Sequence, residues 1–282
     1  MDAAALSALA DIKTLESFSA PSSIMVVGCG GTGAYVVSHL ARLVQVMNSK
    51  DKWNKIELIL ADGDVVEEKN LLRQHFIQPD LGKNKAEALA DRYSAAFGLE
   101  IATIARDLES IDDFATIKDK SAVVVGCVDN NASRKVINEW FLHDSPEYTY
   151  GASKFWIDAG NEETAGQVIC GYRPPKQRPW RGKMFSLPSV IEHYPDVLDG
   201  DLKFNSELSC AERSESAPQN MMTNVTAATL VMNLLQKLLL QTPMKSHGAV
   251  FTIDNSIRNV LNTPGNLDKV DKDRRRQWEI TQ

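Results

Sequence analysis

The segment Gly28-Cys29-Gly30-Gly31-Thr32-Gly33 has the make-up of a phosphate-binding loop. Glycine allows a tight turn and lets backbone N–H groups approach a phosphate, and a helix starting there adds positive potential. Gly28, Gly30 and Gly33 fit the frame G-x-G-x-x-G, and Gly31 is an additional glycine. That frame serves dinucleotides as well as ATP. Asp62 and Asp64 follow a short apolar run, where a carboxylate can accept hydrogen bonds from ribose hydroxyls. The alternative for this pair is an Asx-rich turn that closes a strand. Arg73, in Asn70-Leu71-Leu72-Arg73-Gln74, and Lys85 tilt the reading towards a triphosphate, whose charge must be neutralised during displacement. Asp129 is a carboxylate suited to anchor Mg²⁺ beside phosphate oxygens. Its neighbour Asn130 suits a helix cap.

These residues need a scaffold that brings them together. Ile24 to Val27 reads as a buried strand running into the glycine loop, and a helix follows with Val36, Leu40, Leu43 and Met47 on one face. Strands are expected at Ile56–Ala61, Ile101–Ala105 and Val123–Gly126, with helices at about 84–97 and 132–141. Strand and helix alternate, which predicts an α/β fold: a Rossmann-like, mostly parallel sheet with flanking helices. Asp62 and Asp129 then sit at C-terminal strand ends, where open α/β sheets bind ligands. The second half changes character. Lys154–Ala159 and Gly166–Tyr172 read as strands joined by a turn around Gly160-Asn161. A long Pro-containing crossover loop spans 173–218, a helix spans Asn220–Leu240, and Ala249–Ile253 reads as the last strand. Residues 3–17 carry a short amphipathic helical pattern. The chain is thus read as one domain over 1–282: an N-terminal helix (1–23), a nucleotide-binding half (24–150), a substrate half with an antiparallel extension (151–260) and a tail (261–282).

The chain has 282 residues, enough for one large α/β domain. Hydrophobic residues make up 43% and charged residues 24%, which supports a substantial core. No apolar run approaches the roughly 20 residues needed to span a bilayer, and Met1–Ala10 has no basic flank or cleavage signal. A cytoplasmic protein without a membrane partner is expected. The net charge of -6 argues against a nucleic-acid partner, and the Arg274-Arg275-Arg276 cluster reads as a solvated tail. The four cysteines, Cys29, Cys127, Cys170 and Cys210, form no C-x-x-C pair and are too dispersed for a disulfide framework or a zinc site.

Taken together, GCGGTG (28–33), DGDVVEEKNLLRQ (62–74), GKNKA (82–86) and VDNNASRKVIN (128–138) resemble the ThiF/MoeB/ubiquitin-activating superfamily. The size and divergent second half further resemble the plasmid-associated PRTRC-system ThiF proteins. The resemblance implies ATP-dependent adenylation of the C-terminal glycine of a ubiquitin-like protein, with ATP and Mg²⁺ as cofactors. It implies that Gly28, Gly30, Gly31 and Gly33 line the phosphates and Asp62 holds the ribose. Asn70, Arg73 and Lys85 then contact the phosphates, Gln74 orients Arg73, and Asp129 positions Mg²⁺. It also implies a homodimer. The activated carbonyl would pass to a conjugating enzyme or a sulfur-transfer partner.

Cys210, in Leu208-Ser209-Cys210-Ala211-Glu212, resembles the family's Ser-Cys-Ala-Glu element, which implies a transfer thiol that takes the acyl group as a thioester. Arg213 would favour the thiolate. Here Arg213-Ser214-Glu215 follows where relatives usually place a glycine. Cys29 and Cys127 read as small packing residues and Cys170 as core. Relatives that carry zinc use two C-x-x-C pairs; Cys170 keeps one cysteine of the first, so no structural zinc is expected. Homodimeric relatives donate an N-terminal arginine, and this chain has none before Arg42, which leaves Lys13 or another arginine for that place. Phe155, Trp156, Tyr172 and Trp180 suit either a groove for a peptide tail or the core. Two other functions compete: a non-catalytic ThiF-like scaffold, and an NAD-dependent oxidoreductase, which leaves Arg73, Lys85 and Asp129 without a role.

Overall fold

The computed structural model describes residues 14–15, 18–51, 53–118, 120–143, 152–175, 186–195, 221–254 and 256–262. An eight-stranded sheet runs through it in the order β3-β2-β1-β4-β5-β6-β7-β8. The first five strands in chain order are β1 (Ser23–Val27), β2 (Glu57–Ala61), β3 (Ile101–Ile104), β4 (Ala122–Gly126) and β5 (Lys154–Asn161), and their pairings are all parallel. Next come β6 (Ala165–Arg173), β7 (Ser246–Thr252) and β8 (Ile257–Leu261), which continue the sheet antiparallel. This is the α/β architecture with an antiparallel extension that the alternation predicts.

β1 and β4 are buried along their whole length, as parallel strands covered on both faces must be. Successive side chains point to opposite faces. Ile24, Val26, Leu58 and Val123 therefore join one apolar cluster with helices α1 (Gly31–Lys50), α3 (Lys85–Phe97) and α6 (Met221–Leu239). Met25, Ile59, Val124 and Trp156 join a second cluster with α4 (Asn131–Leu142) and a 3-10 helix over Ile111–Ile117. Buried Lys154 closes the C-terminal end of α4: its Nζ donates to the carbonyls of Trp140 and His143 at 2.7 and 2.8 Å. Phe155, Trp156 and Tyr172 lie in the core rather than in a groove.

Several boundaries differ from the sequence reading. β5 continues through Gly160 and Asn161, which pair with Gln167 and Gly166, so the turn falls at 162–164. Ala249–Ile253 does not hold the last strand, because β8 pairs beyond it. Within 173–218, Leu187 pairs with Tyr172 and a one-turn helix α5 spans Val190–His193. Leu15, assigned to an N-terminal helix, instead bridges Met244. Ser23 already belongs to β1, and Leu261 to β8 rather than to a tail. Residues 1–13 and 16–17, the tail from 263 on, Trp180 and Cys210 with Arg213 lie outside the described residues. Among the described residues, no helix is long and apolar enough to cross a membrane.

Candidate functional site

A cleft of about 480 Å³ opens at the C-terminal ends of β1, β2, β4 and β5. The glycine loop forms its floor. Gly28 takes φ +85°, which glycine adopts without strain, and a Cβ there would lie 2.6 Å from the Cys127 carbonyl oxygen. Gly33, one turn into α1, packs against the Gly28 carbonyl with no room for a methyl group. The first turn of α1 carries no acidic residue, and no side chain caps it at Gly30. By contrast, Asn84 caps α3 by accepting from Ala86 N and Glu87 N, and Asn130 caps α4 by accepting from Ser133 N at 2.8 Å. The open N–H groups of α1 face the cleft and make an anion-binding end.

Asp62 ties β2 to this loop. Its Oδ2 accepts from Cys29 N at 2.5 Å and its Oδ1 from Asp64 N at 2.8 Å. Burial pushes its carboxyl up from the usual carboxylate range, and Lys85 and those two N–H groups pull it back down. Lys85 is 6% exposed, and its Nζ donates to Asp64 Oδ2 at 2.6 Å. Asn84 Nδ2 donates to the Asp62 carbonyl at 2.7 Å, which fixes the start of α3 against the end of β2.

Arg73 and Gln74 are positioned by a short helix, α2 (Glu68–Leu71). Buried Asn70 accepts from Glu67 N at 2.8 Å through its side chain and from Gln74 N at 2.8 Å through its carbonyl. The Gln74 amide lies over the glycine loop, 3.7 Å from where a Gly30 Cβ would be, and its buried Oε1 has no partner. The structure thus places Gln74 against the loop itself. Asp129, just after β4, lines the cleft, and Arg134 holds the preceding carbonyl, Val128 O, at 2.7 Å.

Gly28, Gly30, Gly31, Asp62, Asp64, Asn70, Arg73, Gln74, Lys85 and Asp129 therefore meet in one cleft, with Gly33 packed beneath it. Among the described residues, no group of three His, Cys, Asp or Glu side chains could hold a metal ion by itself. Cys29 and Cys170 are buried, and burial pushes the Cys170 thiol up to about 12. Burial likewise raises Cys29 and Cys127, which makes all three poor nucleophiles. The sequence reading missed Thr32, Asn161 and Asn224 on the β5 side of the cleft and Arg106–Leu108 beyond β3. Thr32, inside the glycine motif, was the one with a legible signal.

No protein with a curated description matches the chain by sequence. Solved structures share its fold. E. coli MccB with ATP superposes with a TM-score of 0.52 at 20% identity, over 86% of this chain and 63% of that one. The microcin C7 biosynthetic enzyme MccB with N-formylated MccA gives 0.53 at 19%, over 86% and 65%. Selenomethionyl PaaA gives 0.51 at 18%, over 86% and 64%. The chain thus covers less than two thirds of the length of these proteins. The ThiF family model matches residues 9–269, nearly the whole chain, and with the motif residues gathered in one cleft the protein belongs to the ThiF family.

Proposed function

We propose that this protein activates a C-terminal carboxylate of a peptide or small protein by ATP-dependent adenylation. One observation carries the reading: the uncapped end of α1 faces a cleft that also gathers Arg73, Lys85 and Asp129. A dinucleotide dehydrogenase needs the first feature but not the other three. One carboxylate oxygen of the substrate bonds to the α-phosphorus while the bond to the bridging oxygen breaks. Pyrophosphate leaves with that electron pair, and an acyl-adenylate remains. Catalysis of this kind comes from positioning and charge stabilisation. The crystal structures of MccB with ATP, and with AMPCPP and MccA, support a nucleotide and a peptide in a fold of this shape.

The narrower reading takes a ubiquitin-like protein ending in glycine as substrate, a homodimer as the working form and Mg²⁺ as the metal. The residues fit such an ion: Asp129 lines the cleft and would hold it beside phosphate oxygens and water, as Mg²⁺ prefers. Mg²⁺ bound there would supply charge neutralisation on the phosphates. Cys210 would then attack the acyl carbon, forming a thioester and releasing AMP, before the acyl group passes to a conjugating or sulfur-transfer partner.

The test is an ATP-dependent trap. The protein is incubated with Mg·ATP and small ubiquitin-like proteins from its own genome, and both ATP–pyrophosphate exchange and intact mass are followed. Exchange is expected with the true substrate. A reductant-sensitive adduct lost in Cys210→Ala would establish the thioester. Exchange without an adduct would remove Cys210 from the mechanism. No exchange with any candidate, despite bound ATP, would favour a non-catalytic scaffold.

A further inference from the structure

On the β5 side of the cleft, three neutral side chains form a closed set. Asn161 Nδ2 donates to Asn224 Oδ1 at 2.8 Å, and the Thr32 hydroxyl lies 3.1 Å from Asn161 Oδ1 and 3.2 Å from Asn224 Oδ1. Asn224 is 2% exposed, yet its Nδ2 has no acceptor. That nitrogen points at the glycine loop, only 2.7 Å from where a Gly31 Cβ would be. The additional glycine of the motif is therefore explained by Asn224, since any side chain at 31 would displace this amide. Thr223 anchors the same turn of α6 by donating to the Glu163 carbonyl at 2.8 Å. A buried donor left without an acceptor is costly, so its retention beside an open cleft points to a ligand that supplies the acceptor.

Strand order indicates which ligand. Along β2, β1, β4 and β5 the cleft presents Asp62, the glycine loop, Asp129 and Asn161 in turn. Lys85 stands on the β2 side, bonded to Asp64 near the carboxylate that suits ribose, and Arg73 lines the same cleft from the segment that follows β2. Among the described residues that line the cleft, the β5 side offers the Asn161 and Asn224 amides and the Thr32 hydroxyl. In phosphoryl displacement the attacking and leaving oxygens lie roughly in line across the phosphorus. Cations suit the side that receives pyrophosphate. The opposite side must admit the carboxylate nucleophile, and a cation there would hold the carboxylate back by stabilising its ground-state charge. A neutral N–H donor orients it without that penalty.

Building on the adenylation reading, we propose that Asn224 and Asn161 form the subsite for the C-terminal residue of the acyl substrate. Asn224 Nδ2 donates to the carboxylate oxygen that does not attack and that remains as the carbonyl oxygen of the acyl-adenylate. Asn161 fixes the Asn224 amide by bonding its Oδ1. The α-phosphoryl group offers the same acceptor chemistry, and the experiment separates the two.

Two probes are compared by titration calorimetry: 5′-O-sulfamoyladenosine and its N-(glycylglycyl) derivative, a stable mimic of an acyl-adenylate. The wild-type protein is expected to bind the acylated probe at least about tenfold more tightly. Asn224→Asp, which exchanges the donor for an acceptor, is expected to bring that ratio close to one, and half-buried Asn161→Ala to lower it. Should Asn224→Asp fail to give a cooperative melting transition, Asn161→Ala decides. Unchanged ratios in the variants overturn the proposal. Equal weakening of both probes also overturns it and assigns the amides to the phosphate. A wild-type ratio near one with the plain probe bound removes the subsite while the ATP site stands. Binding of neither probe by the wild type removes the adenylation reading as well.

Discussion

Arg134 Nε lies 3.1 Å from Asp158 Oδ1, and the aspartate is fully buried within β5, paired with Gly126 at the end of β4. Burial pushes the Asp158 carboxyl up, and the guanidinium pulls it down. Arg134 also donates to the Val128 carbonyl, so this ion pair connects β5 to the backbone immediately before Asp129. The pair fixes β5 against the segment that leads from β4 to Asp129.

Removing one partner should therefore cost more than removing both. Arg134→Met leaves a buried carboxylate without its cation and is expected to destabilise by about 3 kcal/mol or more. The double variant Arg134→Met, Asp158→Leu should recover much of that loss. Urea unfolding of the single and double variants measures it. A double variant no more stable than Arg134→Met would mean that Asp158 does not depend on its cation.

The glycine loop separates folding from ligand binding. A methyl group at Gly28 meets the Cys127 backbone at 2.6 Å with φ at +85°. Gly28→Ala should lose about 2–4 kcal/mol of stability, combining backbone strain with a clash that backbone cannot relieve. At Gly30 the nearest atom is 3.7 Å away. Gly30→Ala should melt close to the wild type, yet bind ATP at least roughly tenfold more weakly, because the methyl stands in the phosphate cradle. Unfolding curves and ATP titration of the two variants check the contrast.

The nucleotide half was legible because its signals are local. β1 and β4 carry short apolar runs; Gly28, Asp62 and Asp129 fall within three positions of a strand end, and Asn70, Arg73, Gln74 and Lys85 sit in compact motifs between β2 and β3. The β5 side was not. Asn161 reads as a turn residue beside Gly160, but pairing with Gly166 keeps it in the strand and carries it to the cleft. Asn224 sits in an apolar helical stretch that reads as core or dimer packing. Its contacts are with Asn161, 63 residues away, and Thr32, 192 away, and no local pattern encodes them. β8 was overlooked because Ile257, Arg258 and Asn259 are exposed at the sheet edge and show no buried face.

Lys85 shows how the cleft handles charge before ATP arrives. Its ammonium is almost wholly buried and is held by the exposed Asp64 carboxylate at 2.6 Å. Lys85→Met keeps the length of the apolar stem and removes the charge. Under the adenylation reading, pyrophosphate exchange should fall roughly a hundredfold, the scale of losing one preorganised electrostatic contact. The melting temperature should fall as well, because the buried Asp62 carboxyl loses a nearby cation, so exchange is compared at a temperature where both proteins are folded. Exchange at the wild-type rate would exclude Lys85 from contact with the phosphates.

A histidine pair away from the cleft sets a pH limit on stability. His247 is fully buried on β7, with Nδ1 2.8 Å from Asn262 Oδ1 and Nε2 2.9 Å from His193 Nε2 on α5. Burial is the main cause that lowers the His247 imidazole to about 4; the Asn262 contact opposes it, and His193 adds to it. The unfolded chain binds this proton near pH 6.5, and the folded protein does not until about pH 4. The stability that neutral His247 provides is thus complete above about pH 6.5 and is lost as pH falls towards 4, by on the order of 3 kcal/mol. Carboxylates also begin to titrate in that range, so the informative quantity is the difference from His247→Gln. The variant should start less stable at pH 7.5 and fall less steeply between pH 6.5 and 4.5 in urea unfolding. Parallel pH curves would show that His247 takes up its proton equally in both states and would remove the buried pair as the cause.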